Sequence, residues 1–370
     1  MLSEAEKREI RVLGDGCAAL SLAARAGELP DHRIKLVKPH DAPPEADHIW
    51  GFWSVDDMQI AGDIARASWS KWAIVTAEGR VDLESQTRPY RALQRSDWTR
   101  YCRQAATIAG VTVIEGDAPD SSSPAQLFDS RPPRVPENSM LQHFIGFEVR
   151  AAKPAFEPDI VILMDFRVDQ SQGMHFIYLL PFSETEALVE STLFSPRTLD
   201  KTFYEGAIKG YLERHLGLTS FEILRRERGV IPLANLPCRD PAIPGLGGNG
   251  GAIRPSSGYA FIFIQKQISD AIEMARVTGR LIVKTPHQRV DLWMDAVLLS
   301  VLRHWPETAP ELFLRMGRAL SGDEFVRFLS GEAGWSLRLK VVMAMPKWPF
   351  IRAVFRLVFN RRHMPYAEVA

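Results

Sequence analysis

Residues 10–26 read IRVLGDGCAALSLAARA, and this stretch decides the fold. The β-branched and aliphatic run at 10–13 stops at Gly14-Asp15-Gly16, and small, apolar residues then follow at helical density from Cys17 to Ala26. The pattern predicts strand, glycine turn and helix, with G-x-G-x-x-A at Gly14, Gly16 and Ala19. Gly14 permits the tight turn, and Gly16 lets backbone approach a pyrophosphate. Ala19 lets the helix pack close to the strand, so that the helix's first N–H groups and its dipole face the phosphates. The chemistry is that of a dinucleotide site. A second strand is expected at 33–37 (RIKLV). Where an acid would hold the ribose hydroxyls at its end, the chain carries Lys38 and Pro39; either Asp41 in the following loop substitutes or the adenosine end is held differently.

Outward from this stretch, Ser96 is expected to cap a helix over 97–109, followed by a strand at 111–114 and loops at 119–124 and 132–136. Residues 160–164 read as a buried strand, and 176–181 with 187–193 as a hairpin around a turn at 182–186. Helices are expected at 202–216, 259–275, 291–304 and 311–320, with a Gly-rich loop at 245–258. The implied fold is α/β, with a Rossmann-like dinucleotide-binding domain, a β-rich substrate domain and a helical C-terminal part. The expected boundaries are 8–50, 97–135 and 225–275 for the first, 51–96 and 136–224 for the second, and 276–370 for the third.

At 370 residues the chain has room for two or three such units. Its 45 Lys+Arg balance 45 Asp+Glu, which excludes a globally basic nucleic-acid binder. Hydrophobic content of 46% is that of a folded protein with a sizeable core. Cys17, Cys102 and Cys238 are scattered and lack metal-ligand spacing, so no metal site and a reduced, cytoplasmic setting are expected. The start MLSEAEKREI is too charged for a signal peptide, and no apolar run reaches the length of a membrane span.

The neutral average hides a local asymmetry. Residues 335–363 contain Arg338, Lys340, Lys347, Arg352, Arg356, Arg361 and Arg362 and no acid, interleaved with Trp335, Trp348, Phe350, Phe355 and Phe359. Positions 350, 351, 354, 355 and 358 repeat at helical spacing, with Arg352 and Arg356 on another face. A basic amphipathic helix of this kind suits an anionic membrane interface, so a peripheral membrane association through 335–363 is expected.

Five further segments carry a family resemblance: DHIWGFW (47–53), LQHFIGFEV (141–149), LMDF (163–166), FIYLLPFSETEALVESTLFSPR (176–197) and GGNGGAIRPSSGYAF (247–261). With the Gly14 turn, and in this order, they resemble the FAD-dependent carotenoid cyclases, the bacterial lycopene β-cyclases and their plant relatives. The resemblance spans about 10–275. It implies a non-redox, acid–base cyclisation of the ψ-ends of lycopene or a related carotenoid to β-rings (γ- or β-carotene). Bound reduced FAD is implied as cofactor, with NAD(P)H as a candidate reductant.

The resemblance also implies residue roles. Glu190 matches the first carboxylate of the family's acidic pair, and Ser191 stands where the second acid is found. Flanked by apolar residues, Glu190 would be kept protonated by inward burial, as an acid catalyst requires. Asp165 is a second catalytic candidate. Gly14, Gly16 and Ala19, with Gly248, Gly250, Gly251, Arg254, Pro255 and Gly258, would hold the flavin, the helix after Gly258 aiming its dipole at the isoalloxazine. His48, Trp50, Phe52 and Trp53 would line the polyene tunnel, their π faces shielding a cation. Two other readings stay open: a flavin-dependent reductase or monooxygenase acting on an isoprenoid or aromatic substrate, and a non-catalytic polyene-binding protein. The sequence sets no oligomeric state.

Overall fold

The computed structural model describes residues 7–40, 46–56, 58–116 and 125–359. Asp41, the loop at 119–124 and the basic residues at 361 and 362 therefore lie outside the described residues.

In chain order the strands are β1 (Arg8–Leu13), β2 (His32–Lys38), β3 (Ile49–Trp53), β4 (Ala67–Trp69), β5 (Lys71–Thr76), β6 (Gly79–Glu84) and β7 (Tyr90–Gln94). There follow β8 (Thr112–Glu115), β9 (Gln126–Asp129), β10 (Met140–Arg150), β11 (Ile160–Asp165), β12 (Met174–Pro181), β13 (Glu186–Ser195) and β14 (Glu222–Leu233). The helices are α1 (Cys17–Ala24), α2 (Gln59–Asp63), α3 (Arg95–Ile108), α4 (Lys201–Leu216) and α5 (Phe261–Thr278). Toward the C-terminus come α6 (Arg289–His304), α7 (Ala309–Ala319), α8 (Gly322–Leu329), α9 (Trp335–Ala344) and α10 (Lys347–Phe359).

The chain divides into two units. The first comprises Met1–Ala65, Leu93–Pro136 and Asn235–Arg289, the second Arg66–Ala92, Glu137–Ala234 and Val290–Ala370. Residues 225–234, expected with the dinucleotide domain, thus belong to the second unit, because β14 pairs along its length with β10. Residues 51–65 and 93–96, expected with the substrate domain, and 276–289, expected with the C-terminal part, belong to the first unit, while the helices from 290 onward join the second rather than forming a third.

The first unit is built on a parallel sheet in the order β8-β2-β1-β9. Strands on both sides of β1 with helical crossovers give the doubly wound arrangement that the opening stretch predicts. Helix α1 is made of small residues and is buried from Ala18 to Ala23, so it lies close to its neighbours. Helix α5 buries Ile264, Ile268, Ala271, Ile272 and Ala275, one face at helical spacing. One local expectation fails. Helix α3 begins at Arg95, and Ser96 does not cap it with its own hydroxyl. Asp47 does so from a distant segment, its carboxylate accepting from the Ser96 N–H at 3.0 Å and from the Ser96 hydroxyl at 3.2 Å.

The second unit is built on a seven-stranded sheet, β14-β10-β13-β12-β11-β5-β6, in which β5 and β11 run parallel and the other neighbours antiparallel. The hairpin predicted from 176–193 is its centre, β12 and β13. Alternation along these strands gives two faces. One presents Phe147, Val149, Ile177, Leu179 and Val189 to Ile208, Tyr211 and Leu212 of α4. Each such side chain stabilises the fold by roughly 1.5–3 kcal/mol. Asp200 caps α4 by accepting from the Thr202 N–H, and Gly217, with φ 64°, ends it. Glu190 lies on the other face.

The C-terminal helices place the cations of the basic stretch differently from one another. Arg338 is buried and forms a bidentate ion pair with Asp291, at 2.8 and 3.0 Å. Lys340 pairs with Glu324, and Lys347 donates to the carbonyls of Val342 and Met343 at the end of α9. Two of the seven cations are thus paired with acids, while Arg352 and Arg356 on α10 are exposed. Beside these arginines the surface is apolar: Trp335, Leu339, Met343, Trp348, Phe355 and Phe359 are all more than half exposed. Among the described residues no helix is long and apolar enough to cross a membrane.

Candidate functional site

Glu190 occupies the middle of β13, the central strand of the hairpin and its neighbours. In register it faces Tyr178 of β12 on one side and Gly146 of β10 on the other. Gly146 in turn faces Glu227 of β14. Glu190, Gly146 and Glu227 therefore form one row across three strands. Both carboxylates project from the face opposite α4 and are buried. A Cβ built on Gly146 would lie 3.0 Å from Cγ and 3.5 Å from Oε1 of Glu227, so the Glu227 side chain leans over the glycine. The absence of a side chain at 146 is what lets it do so.

Burial pushes the Glu190 carboxyl up to about 8, the negative charge of Glu227 adds to this, and the hydroxyl of Thr192 on the same face donates to it and partly offsets both. Glu190 is therefore protonated at neutral pH. Glu227 Oε2 lies 3.0 Å from Arg225 Nη2, and Arg225 Nε also donates to Glu148 at 3.1 Å. Glu148 is half of a second ion pair, with Arg66. Burial works against its charge, but Arg66 and Arg225 hold its carboxyl below the usual range. One end of this polar row is thus ionic and the other end neutral. Tyr178, Phe176 and Phe194 share the face with Glu190, and the Tyr178 hydroxyl lies 2.8 Å from that of Tyr90. Phe176 and Phe194 meet at 5.9 Å between centroids.

Ser191 projects to the α4 side, where its Oγ lies 2.8 Å from His175 Nε2. The adjacent residues 190 and 191 are thus separated by the sheet itself. Asp165, the second catalytic candidate, is fully buried and committed on every side. Arg167 engages both its oxygens, at 2.9 and 2.6 Å, and the Tyr211 hydroxyl donates to it at 2.8 Å. Its neighbours make it a structural anchor joining β11 to α4.

In the first unit, Gly14 adopts φ 102°, and a Cβ there would meet Ser130 Oγ at 2.6 Å. Gly16 is different: a Cβ there would meet nothing within 4 Å, and no side chain caps α1. Open space beside uncapped helix N–H groups fits a phosphate-bearing group. Ala19 is wholly buried against the sheet. The loop that includes Gly248, Gly250 and Gly251 closes on α1, since a Cβ on Gly247 would lie 2.3 Å from Ala18 Cβ. Gly250 is pressed against the Gly245 carbonyl, which makes its smallness a need of the loop itself. Arg254 and Pro255 are buried, and Gly258, with φ 68°, donates its N–H to the Arg254 carbonyl at 2.9 Å, closing the turn before α5.

The aromatic cluster lies in the first unit. Phe52 and Trp53 are buried, and Phe52 belongs to the first unit's own core, packed edge-on against Phe261 at 5.4 Å. Trp50, half-buried, tilts against the same ring at 5.2 Å. His48 is half-buried, and its carbonyl accepts from the Arg95 N–H that opens α3.

Sequence reasoning missed Glu227, Arg225 and Tyr178. Glu227 stands in the run RRERG (225–229), which reads as a solvated charge cluster. Only the pairing of β14 with β10 places it beside Glu190. Among the described residues no cluster of His, Cys, Asp and Glu could hold a metal ion.

A parallel sheet that opens on a glycine turn, with a second unit on a long mixed sheet, is a fold shared with flavin-dependent enzymes. The structure of the flavin-dependent brominase Bmp2 matches with a TM-score of 0.61, 12% identity, and coverage of 96% of this chain and 100% of that one. A geranylgeranyl bacteriochlorophyll reductase-like protein from Thermoplasma acidophilum matches with a TM-score of 0.60, 13% identity, and coverage of 96% and 99%. The particular family follows from sequence: the lycopene cyclase protein family matches residues 9–355, and the chain belongs to it. A lycopene beta-cyclase of Paracoccus sp. is 31% identical over 61% of this chain, and the match spans 61% of that relative's own length. A lycopene beta-cyclase of Pantoea ananas is 25% identical over 95% of this chain and 97% of its own.

Proposed function

We propose that the protein is a lycopene cyclase that converts the ψ-ends of lycopene to β-rings without net redox change. The observation that carries this reading is Glu190, a carboxyl kept protonated by burial on an aromatic-lined sheet face. The reaction needs an acid whose conjugate base stays in place. Glu190 Oε–H gives its proton to the terminal double bond of the acyclic end, leaving a tertiary cation in the substrate and a carboxylate on the enzyme. The neighbouring double bond supplies the electron pair that forms the ring bond, and the cation moves into the ring. A ring C–H then returns a proton to Glu190 and its bonding pair closes the new double bond. Atoms and charge balance, and Glu190 ends as it began.

The aromatic groups on the same face, Phe176 and Tyr178, would turn π density toward the cation and keep water from capturing it. Gly14, Gly16 and the loop from Gly248 to Gly258 would hold FAD, with α5 beginning just beyond the loop. Bound in its reduced form, with NAD(P)H as reductant, that group would carry a negative charge able to stabilise a cation. The apolar helices α9 and α10 would seat the enzyme at the membrane surface where its carotenoid substrate resides.

Expression in lycopene-accumulating bacteria tests the reading. Ring-bearing pigments are expected from the native chain and none from Glu190→Gln. Full cyclisation by that variant would remove Glu190 from the chemistry. Turnover that consumes NAD(P)H or oxygen in proportion to product would point to a reductase or monooxygenase instead. A flavin-free preparation that binds carotenoid and leaves it unchanged would point to a carrier.

A further inference from the structure

The family's second acid position is Ser191 here, on the wrong side of the sheet to assist Glu190. The fold supplies a second carboxylate from elsewhere. Glu227 reaches the same face from β14, two strands from Glu190, a Cα separation of about 10 Å at the usual strand spacing. Its side chain shortens that gap by lying over Gly146. Arg225 Nη2 lies 3.0 Å from Glu227 Oε2, while Oε1 is the oxygen beside Gly146.

We infer that Glu227 is the second carboxylate of this site, a positioning residue whose negative charge across Gly146 keeps the transferable proton on Glu190 at rest and draws it back after ring closure. The inference rests on the cyclisation reading above. Before reaction, the pair carries one proton and one negative charge. Once Glu190 has given up its proton, two carboxylates face the substrate cation from one sheet face and both stabilise it. Ring closure then leaves the proton on the substrate and two like charges on the enzyme, which favours its return to Glu190. Among the described residues, the charged and titratable groups about this face are Tyr178 on β12, whose hydroxyl meets that of Tyr90 on β7, Glu148 on β10 with its partner Arg66, and Glu227 with Arg225 on β14. Of these Glu227 is the one whose charge adds to burial in raising Glu190.

The experiment is the pH dependence of lycopene cyclisation by the flavin-loaded full chain in lipid vesicles. In the native enzyme the rate is expected to fall above about pH 8, as Glu190 loses its proton. Glu227→Gln should move that alkaline limit down by about one pH unit, so that activity at pH 8 drops severalfold relative to pH 6. Glu227→Asp, which keeps the charge, should keep the native limit to within a few tenths. Gly146→Ala leaves every charge present and, with its Cβ 3.0 Å from Glu227 Cγ and 3.1 Å from Leu188 Cδ1, makes both give by a few tenths of an ångström, so it should shift the limit in the same direction as Glu227→Gln and by less. If Glu227→Gln fails to fold, the Gly146→Ala profile decides. A native limit in both Glu227→Gln and Gly146→Ala would overturn the inference while the cyclisation reading stands. A native chain that forms no ringed product would overturn the reading itself, and the inference with it.

Discussion

Ser191 Oγ and His175 Nε2 lie 2.8 Å apart on the α4 side of the central hairpin, one residue in sequence and one sheet thickness in space from Glu190. The His175 Nδ1 position is taken by the Asp169 carbonyl at 2.8 Å, and burial holds the imidazole below its ordinary value, so the ring is neutral. The pair ties the loop before β12 to β13. Ser191→Ala leaves a buried ring nitrogen unsatisfied and should cost about 1–2 kcal/mol of stability. Urea unfolding measures that loss. The pH profile of cyclisation should not move, because no part of the pair reaches the Glu190 face.

Much of this was legible in the sequence, and the failures have a common cause. The strand, turn and helix at 8–24 and the hairpin at 174–195 rest on local patterns of glycine, alternation and turn residues, and they appear where those patterns predict. Pairing between distant strands carries no such signal. β14 sits beside β10 although some 70 residues separate them, and nothing in RRERG announces that its acid turns inward. The same limit applies to Asp47 capping α3 and to Asp291 neutralising Arg338. Each is a remote partner for a residue whose local reading was different.

The ionisation of Glu190 also has a stability consequence. In the unfolded chain this carboxyl titrates near its ordinary value of 4.5, and in the folded protein near 8. The folded state binds the proton more tightly, so the stability this group lends is fully present below about pH 4.5 and is lost as pH rises to about 8. Glu190→Gln removes that loss. The variant should be more stable than the native chain at pH 8, on the order of 3 kcal/mol, with the difference shrinking toward pH 5. Thermal unfolding across this range reads it. A difference that does not change with pH would contradict the buried, protonated assignment.

Two glycines of the first unit separate folding from ligand binding. Gly247, with φ 66° and a notional Cβ 2.3 Å from that of Ala18, has no room for a side chain. Gly247→Ala should destabilise the apoprotein by roughly 2–3 kcal/mol through overpacking and backbone strain. Gly16 has extended backbone at φ −78° and open space before it, so Gly16→Ala should fold with native stability. Its methyl group would occupy the approach of a pyrophosphate, and flavin content on purification should fall tenfold or more. Native flavin content in Gly16→Ala would place the phosphates elsewhere.

The membrane association proposed above would take its character from the surface of α9 and α10. Arg338 and Lys340 are paired within the protein, while Trp348 is 72% exposed and Phe355 stacks on Phe359 at 5.6 Å with both rings largely in solvent. Attachment driven by these rings is apolar and little screened by salt, whereas attachment by cations weakens as the Debye length shortens. Vesicle sedimentation is therefore expected to show binding to neutral as well as anionic lipid, with at most a severalfold loss between 0.05 and 0.5 M salt, where roughly tenfold or more would mark a mainly electrostatic contact. The double variant Trp348→Ala, Phe355→Ala should lose at least tenfold in partitioning while retaining its fold, since neither side chain is part of a core. Binding confined to anionic vesicles and abolished by salt would assign the contact to the remaining arginines instead.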